Sequence, residues 1–546
     1  MVQAQGLLAS LGCLFPQTSP TTLALLLLGG FIWIFRRAQK RGSGIGELPL
    51  PVSHSTYIQC NILTFAKPGA EFLWGHERVV YSHEPGVSYR RWIRQLGLTF
   101  RIKAAFGARD VLVLSDRDGI HHILSKRIYD YPHSNVVRPR IARFLGKGLG
   151  WVEGASEHRR MKRIVAPSLT AENIRDMSSD IKDTLFKVIH DLESELKNSN
   201  EPHITANMLE WAGKMTLNAV GRVAFLLDLE GGKSEGATKI LAAKAPHSRP
   251  ATTFGGFLTL MLLRRFSFMN YLPIPALKAQ ASVREAINNG VMKEIVRRSH
   301  AMPIDGKDLL SRLLKADITP DELYAQISTF IISGHETTAL TLAYSIYELS
   351  RHQDCQDKLR SELRDFYGEP TYDDLQTRLP YLDAVLKETL RLYPALPYME
   401  RTVVENDVIP LRQPVNSPEG HIMNSVHVKP GQTVIIPIIA IQRLDSVWKD
   451  PDTFRPERWL EQLPPSDDLP SGWSNLLAFS DGPRTCIGIR LAIYNYKTMI
   501  SAMIQHFRFL DTGAQISLKI SSAIQPWVIG KEDLGPHVPV YVEALE

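Results

Sequence analysis

Thr319-Pro320-Asp321-Glu322 opens the stretch that fixes the centre of any fold this chain can adopt. Threonine followed three residues later by glutamate is a capping box, and proline at the first helical position is already set for a helix. From Asp321 to about His352 there is no proline and a single glycine, which predicts a helix of about 48 Å. Its middle, Ile327 to Leu340, is apolar nearly all round, so the helix must run through a core. One polar knot interrupts it: Ser333-Gly334-His335-Glu336-Thr337-Thr338. Buried polar groups are costly unless they have partners or work. The knot reads in two ways. Its hydroxyls bond back to carbonyls one turn earlier and bend the helix, or an acid beside an alcohol is set up to deliver protons.

A second stretch supplies the chemistry. Phe479-Ser-Asp-Gly-Pro-Arg-Thr-Cys-Ile-Gly488 places one cysteine on a turn-rich loop, and an amphipathic segment, Ile489 to Phe507, follows at once. At the mouth of a helix, free N–H groups and the dipole favour a thiolate. Thiolate sulfur is what a haem iron needs to cleave dioxygen, because it pushes electron density toward the O–O bond. Gly482 and Gly488 let the backbone approach a flat cofactor, and Arg484 is placed to meet a propionate. A lone cysteine on a turn is ordinarily a small hydrophobe. Here the pattern Phe-x-x-Gly-x-Arg-x-Cys-x-Gly is complete in Phe479, Gly482, Arg484, Cys486 and Gly488. It resembles the haem-binding loop of the cytochrome P-450 superfamily, most like fungal microsomal members.

The resemblance runs in motif order from Leu98 to the C-terminus and implies roles. Cys486 is the axial ligand of haem b. In the long helix, Gly334 opens room over the iron, Thr337 holds dioxygen and water, and Glu336 relays protons; Ser333 replaces the commoner Ala or Gly. His158 with Lys162, or its neighbour Arg163, and Arg401 reach the propionates; from residues alone, 157–163 reads equally as a solvated basic face. Glu388 and Arg391 lie three apart on one helical face within Leu379–Pro394, a pair of little value if exposed. As Glu-x-x-Arg it resembles the family's buried brace, completed by Arg458 of Phe454-Arg-Pro-Glu-Arg-Trp459, where Trp replaces the usual Phe. The brace holds the haem loop.

Length and composition bound the rest. The 546 residues would allow several domains, yet no linker or repeat divides them after the first fifty. One large, mainly α domain with a small β-sheet region is expected. At 44% hydrophobic and 22% charged the chain can bury a sizeable core. A scattered net charge of +6 gives no argument for nucleic acid, and four cysteines without C-x-x-C spacing give no disulfide framework or zinc site. Residues 21–35 are uncharged and apolar, with Arg36, Arg37, Lys40 and Arg41 behind them. The positive-inside rule then predicts a lumenal segment at 1–20, a transmembrane anchor at 21–35, a basic and proline-containing hinge at 36–55, and a cytoplasmic haem domain at 56–546 on the endoplasmic reticulum.

Finer elements follow from local pattern. Leu98–Ile102 and Val111–Leu114 read as strands, Ser115–Asp118 as the cap of a helix to about Ser125, and 131–150 as loop. The stretch 171–298 is helical with few breaks; Phe254–Leu263 reads as core, where the family places a loop that dips into the membrane. Val408–Leu411 and Val426–Ile438 form a hairpin around a polar insert, and 516–520 and 538–543 are strands whose connecting turn, Ser522–Trp527, reaches the pocket. The resemblance implies a monooxygenase acting on a lipophilic small molecule, a terpenoid or other specialised metabolite. Its electrons come from NADPH through a separate flavoprotein reductase, with cytochrome b5 as an auxiliary donor. The alternatives are a haem-thiolate isomerase or dehydratase and a non-catalytic haem binder; the acid–alcohol pair and the complete brace weigh against both.

Overall fold

Long apolar-faced stretches become helices and short extended runs become small sheets in the computed structural model, which describes residues 45–51, 70–71, 73–249, 253–301, 308–366 and 368–545. The helices that frame the interior are α1 (Val137–Phe144), α2 (Ala155–Val165), α3 (Met208–Phe225), α4 (Lys244–Ser248), α5 (Phe254–Arg265), α6 (Pro320–Arg351), α7 (Pro380–Leu392) and α8 (Ile489–His506). The strands are β1 (Thr99–Ile102), β2 (Val111–Leu114), β3 (Ile204–Asn207), β4 (Met399–Thr402), β5 (Asp407–Asn416), β6 (Ile422–Val428), β7 (Thr433–Ile436), β8 (Phe507–Asp511), β9 (Ile516–Ile520), β10 (Ile524–Val528) and β11 (Pro539–Ala544).

The capping box closes in both directions. Thr319 Oγ1 accepts from the Glu322 amide at 3.2 Å, and Glu322 accepts from the Thr319 amide at 2.9 Å. The resulting α6 has 32 residues and is buried almost throughout from Ala325 to Ser350. The exception is one face carrying Phe330, Ser333, Gly334 and Thr337, which is accessible although it lies mid-molecule. Beside α6 run α3, α7 and α8. Ser345 Oγ of α6 bonds Thr389 of α7 at 2.8 Å and Tyr496 of α8 at 2.7 Å, all three buried.

Two sheets deliver side chains to the interior. In the order β1-β2-β7-β4, β2 and β7 are parallel and the outer pairs antiparallel, with Arg401 opposite Val434. The β9–β10 hairpin, in register Ile520 to Ile524, turns at 521–523 and points its tip at α6.

Several expectations need correction. The stretch 131–150 contains α1, because Pro139 occupies the first helical turn, where no N–H is needed. Within 171–298, β3 interrupts the helices; it is a strand only because β11 offers it an edge. Val426–Ile438 is not one hairpin arm: Gly431, at φ +80°, turns the chain so that β6 pairs β5 while β7 joins β2 and β4. Phe254–Leu263 lies in helix α5, as the helical reading of 171–298 expects, but only Phe257, Met261 and Leu263 of it are buried. Segment Ile489–Phe507 is buried nearly all round rather than amphipathic, and Lys497 is neutralised inside by Asp383 at 2.8 Å. Residues 45–51 lie against the domain: Ile45 and Leu48 are buried, and the Arg101 amide donates to Pro49 O at 3.1 Å. The expected anchor at 21–35 lies outside the described residues, among which no helix is long and apolar enough to cross a membrane.

Candidate active site

The cysteine loop is held from beneath. Asp481 accepts from the Gly482 amide at 2.7 Å and from Ser125 at 2.9 Å. Gly482 sits at φ +68°, and a Cβ there would come within 2.2 Å of Leu124 O, so only glycine lets the loop close on this segment. The Cys486 amide donates to Phe479 O at 2.9 Å, and Phe479 packs edge-on against Trp473 at 5.4 Å. Gly488 is the N-cap of α8 at an ordinary φ of −88°; a side chain there would meet nothing within 4 Å.

Cys486 is accessible, yet burial pushes its thiol pKa up, against a smaller downward pull from the Gly488 amide. The two observations agree if the sulfur faces an internal void, surrounded by protein but open to a solvent-sized sphere. The helix mouth alone therefore does not make the thiolate. Desolvation outweighs the dipole, and a metal cation is what would deprotonate this sulfur outright. Ile487, the next residue, packs on the same apolar cluster as Phe330 and Ile331 of α6.

The accessible face of α6 borders this void. Thr337 Oγ1 donates to Ser333 O at 2.9 Å, so the back-bonding reading of the knot holds geometrically, and the oxygen keeps lone pairs for a further donor. Glu336 Oε1 accepts from Ser522 Oγ at 2.7 Å and from Gln525 Nε2 at 3.0 Å, both from the β9–β10 hairpin. His335 points away and bonds Thr216 of α3 at 2.9 Å. Gly334 also serves packing. A Cβ there would meet Val220 Cγ2 at 2.9 Å, so the glycine lets α3 approach α6, while Gly334 stays with Ser333 on the accessible face.

On another side of the loop lies a group of cations. Arg401 of β4 is only 6% exposed, yet its Nε and Nη1 have no acceptor. Burial, with Arg484 nearby, lowers its pKa to about 10. Arg484 is half committed: it bonds Val152 O at 2.7 Å and Glu153 at 2.9 Å, while its Nε is unpartnered. His133, bridged in backbone to Arg401, holds the same Glu153 at 2.6 Å. His158 bonds Tyr129 at 3.1 Å and is kept neutral, its pKa lowered to about 4 by burial, then by Arg484 and Lys162. Lys162 donates to Pro483 O at 3.1 Å and so supports the loop, whereas Arg163 is exposed. Buried guanidinium N–H groups without acceptors fit the carboxylates of a haem, and Arg401 is the freest of them.

Glu388, Arg391 and Arg458 come together in the interior. Arg391 grips Glu388 through two bonds of 2.8 Å, and Arg458 Nε adds one of 2.9 Å. The Arg455 amide at 2.9 Å and the Trp459 indole at 3.0 Å complete the shell. Burial alone would raise Glu388, but Arg391 and Arg458 hold its carboxyl below the usual range. Sequence reasoning named the three charges and missed the indole. It also missed Tyr129, His133 and Glu153, which carry no motif; Ser522 and Gln525 lie in the stretch Ser522–Trp527 that was expected to reach the pocket, and Trp459 did stand out as a departure from the pattern.

A void with a thiol on one wall, unpartnered guanidinium groups on its rim and an acid–alcohol helix along another wall suits a flat dianionic macrocycle ligated by sulfur, the mark of haem-thiolate proteins. The chain belongs to the cytochrome P-450 family, whose model matches residues 71–522. It is 29% identical over 507 residues to cytochrome P-450 monooxygenase claW of Ampulloclitocybe clavipes, covering 88% of this chain and 92% of that protein. Cytochrome P-450 monooxygenase 205 of Postia placenta is also 29% identical, over 87% of this chain and 91% of its own length.

Proposed function

We propose that this chain is a monooxygenase that oxidises a lipophilic small molecule, a terpenoid or other specialised metabolite. A haem bound at Cys486 supplies the activation of O₂: one oxygen atom enters a substrate C–H bond and the other leaves as water, with two electrons and two protons consumed. The electrons come from NADPH through a separate flavoprotein reductase, with cytochrome b5 as an auxiliary donor. The observation that carries the reading is an accessible Cys486 sulfur surrounded by protein, together with a mid-molecule accessible face on α6 that carries Thr337 next to the buried Glu336. Thr337 offers a hydroxyl at the edge of the void. Glu336, steadied by Ser522 and Gln525, exchanges protons at its carboxylate. Arg401 and Arg484 orient the haem carboxylates, and the brace fixes the loop from behind.

Membrane attachment through 21–35 on the endoplasmic reticulum belongs to the same reading. It is supported by the exposed apolar side chains Phe254, Phe268 and Leu272, with Tyr271 at 90% exposure, near the ends of α5. The test is the reduced CO complex of the purified protein, followed by turnover with reductase under isotopically labelled O₂. A thiolate-type spectrum and one labelled oxygen per product molecule are expected; a normal spectrum with product oxygen taken from water would sink the monooxygenase assignment.

A further inference from the structure

The void bordered by Glu336 holds more positive charge than its own residues neutralise. Phe144, at the end of α1, stacks on His247 of α4 with ring centroids 4.5 Å apart. Arg140 is one turn before Phe144 and Lys244 one turn before His247, so the contact brings the two cation-bearing turns together, and both cations feel Glu336. One amino group of Arg140 donates to Ser521 O, at the hairpin tip whose next residue, Ser522, bonds Glu336. Lys244 is only partly accessible and has no hydrogen-bond or ion-pair partner among the described residues. His247 is 5% exposed; backbone groups of Ala279 and Gln280 lie near its ring, but neither ring nitrogen makes a hydrogen bond of full geometry among the described residues. Arg143 is occupied by Gln280 and Asn270, and His335 by Thr216.

Neither cation comes within ion-pair distance of Glu336, although each feels its charge. Burial lowers the pKa of Lys244 and of Arg140, and drops His247 to about 4, so the histidine is neutral. Within reach of the Glu336 charge the balance is two cations against one carboxylate, with the Arg143 guanidinium, held by two neutral amide oxygens, behind Arg140. Positive charge in excess, lined by N–H donors, suits a carboxylate anion. This group is separate from the haem-carboxylate cations, since Arg401 couples to Arg484 and Glu153 while Arg140 couples to Glu336.

Building on the reading of this void as the substrate chamber, we propose that the substrate is an apolar molecule bearing one carboxylate, which Lys244 and Arg140 hold with His247 as a neutral donor. The anchored end lies beyond Glu336, so oxidation falls on carbon remote from the acid.

The test is a spectral titration of the full-length ferric holoenzyme with a fatty acid, a diterpene acid, a triterpene acid and an arylpropionic acid, each beside its methyl ester. At least one acid is expected to bind about tenfold or more tightly than its ester, as charge-assisted hydrogen bonds allow. Lys244→Met and Arg140→Gln should each erase most of that preference. Lys244→Glu should reverse it, favouring the amine analogue of the same skeleton, which a merely structural role would not do. Lys244→Met guards against misfolding, since its ammonium holds nothing in the protein. Acids no tighter than esters throughout the panel, or a preference that survives both substitutions, would overturn the proposal while a normal reduced CO spectrum leaves the haem-thiolate reading standing. Loss of that spectrum in the unmodified protein would overturn both.

Discussion

Two buried charge clusters in this molecule are built on opposite terms. Around Glu388 the charges close on themselves: two arginines, an amide and an indole surround one carboxylate. Around Glu336 they stay open, for among the described residues Arg140 has a single carbonyl and Lys244 no partner, and two neutral donors from the hairpin hold the acid. Desolvating a charge is tolerable only when its partners are in place. The first cluster carries its partners within the fold and serves geometry. The second leaves its cations short of acceptors, as the proposed anion site and proton delivery require.

The comparison can be broken in graded steps. Cys486→Ser has the largest expected effect: the thiolate-type spectrum of the reduced CO complex and all turnover are lost, while secondary structure by circular dichroism persists. Glu388→Gln leaves two buried guanidiniums short of their counter-charge and should destabilise the fold by about 3–5 kcal/mol in chemical denaturation. Glu336→Gln, a similarly isosteric change in the open cluster, should leave the denaturation midpoint nearly unmoved, and equal losses in the two would erase the distinction. Thr337→Ala should cut product formed per electron by about tenfold to a hundredfold with stability unchanged, read as the ratio of product to NADPH consumed.

Acid separates the clusters in another way. His133, His158 and His247 fall from 6.5 to about 4 on folding, so the unfolded chain binds their protons first. Their contribution is complete above about pH 6.5 and is lost as pH falls toward about 4. Glu388, held below the usual carboxylate range, keeps its contribution until the pH is lower still. Melting temperature should therefore drop between pH 6.5 and 5 while the brace is ionised, and His158→Gln should flatten that slope. Trp459→Phe has the smallest expected effect, about 1.5 kcal/mol, as one donor to a buried carboxylate is removed.

What the sequence displayed was whatever one local segment encodes. The capping box at Thr319, the glycines and cysteine between Phe479 and Gly488, and the i, i+3 pair Glu388/Arg391 each put their physics within a few residues of each other. The open cluster was hidden because Arg140 and Lys244 are unremarkable cations far apart in the chain, joined only by the stacking of Phe144 on His247. Strand β3 was invisible because four residues become a strand only when β11 lies beside them. The packing use of Gly334 was hidden for a related reason: local pattern shows that room is needed, and only packing shows that Val220 uses part of it.

Ser345 has a reach beyond its size. A single hydroxyl touches Thr389 and Tyr496, and so ties the helix of Glu336 and Thr337 to the helix of Glu388 and Arg391 and to the helix that follows Cys486. It works as a spacer gauge between α6 and these two neighbours. Alanine there would leave two buried hydroxyls without a shared partner and let the three helices settle at a new separation. The height available above a bound macrocycle would then be reset from a point that no substrate touches.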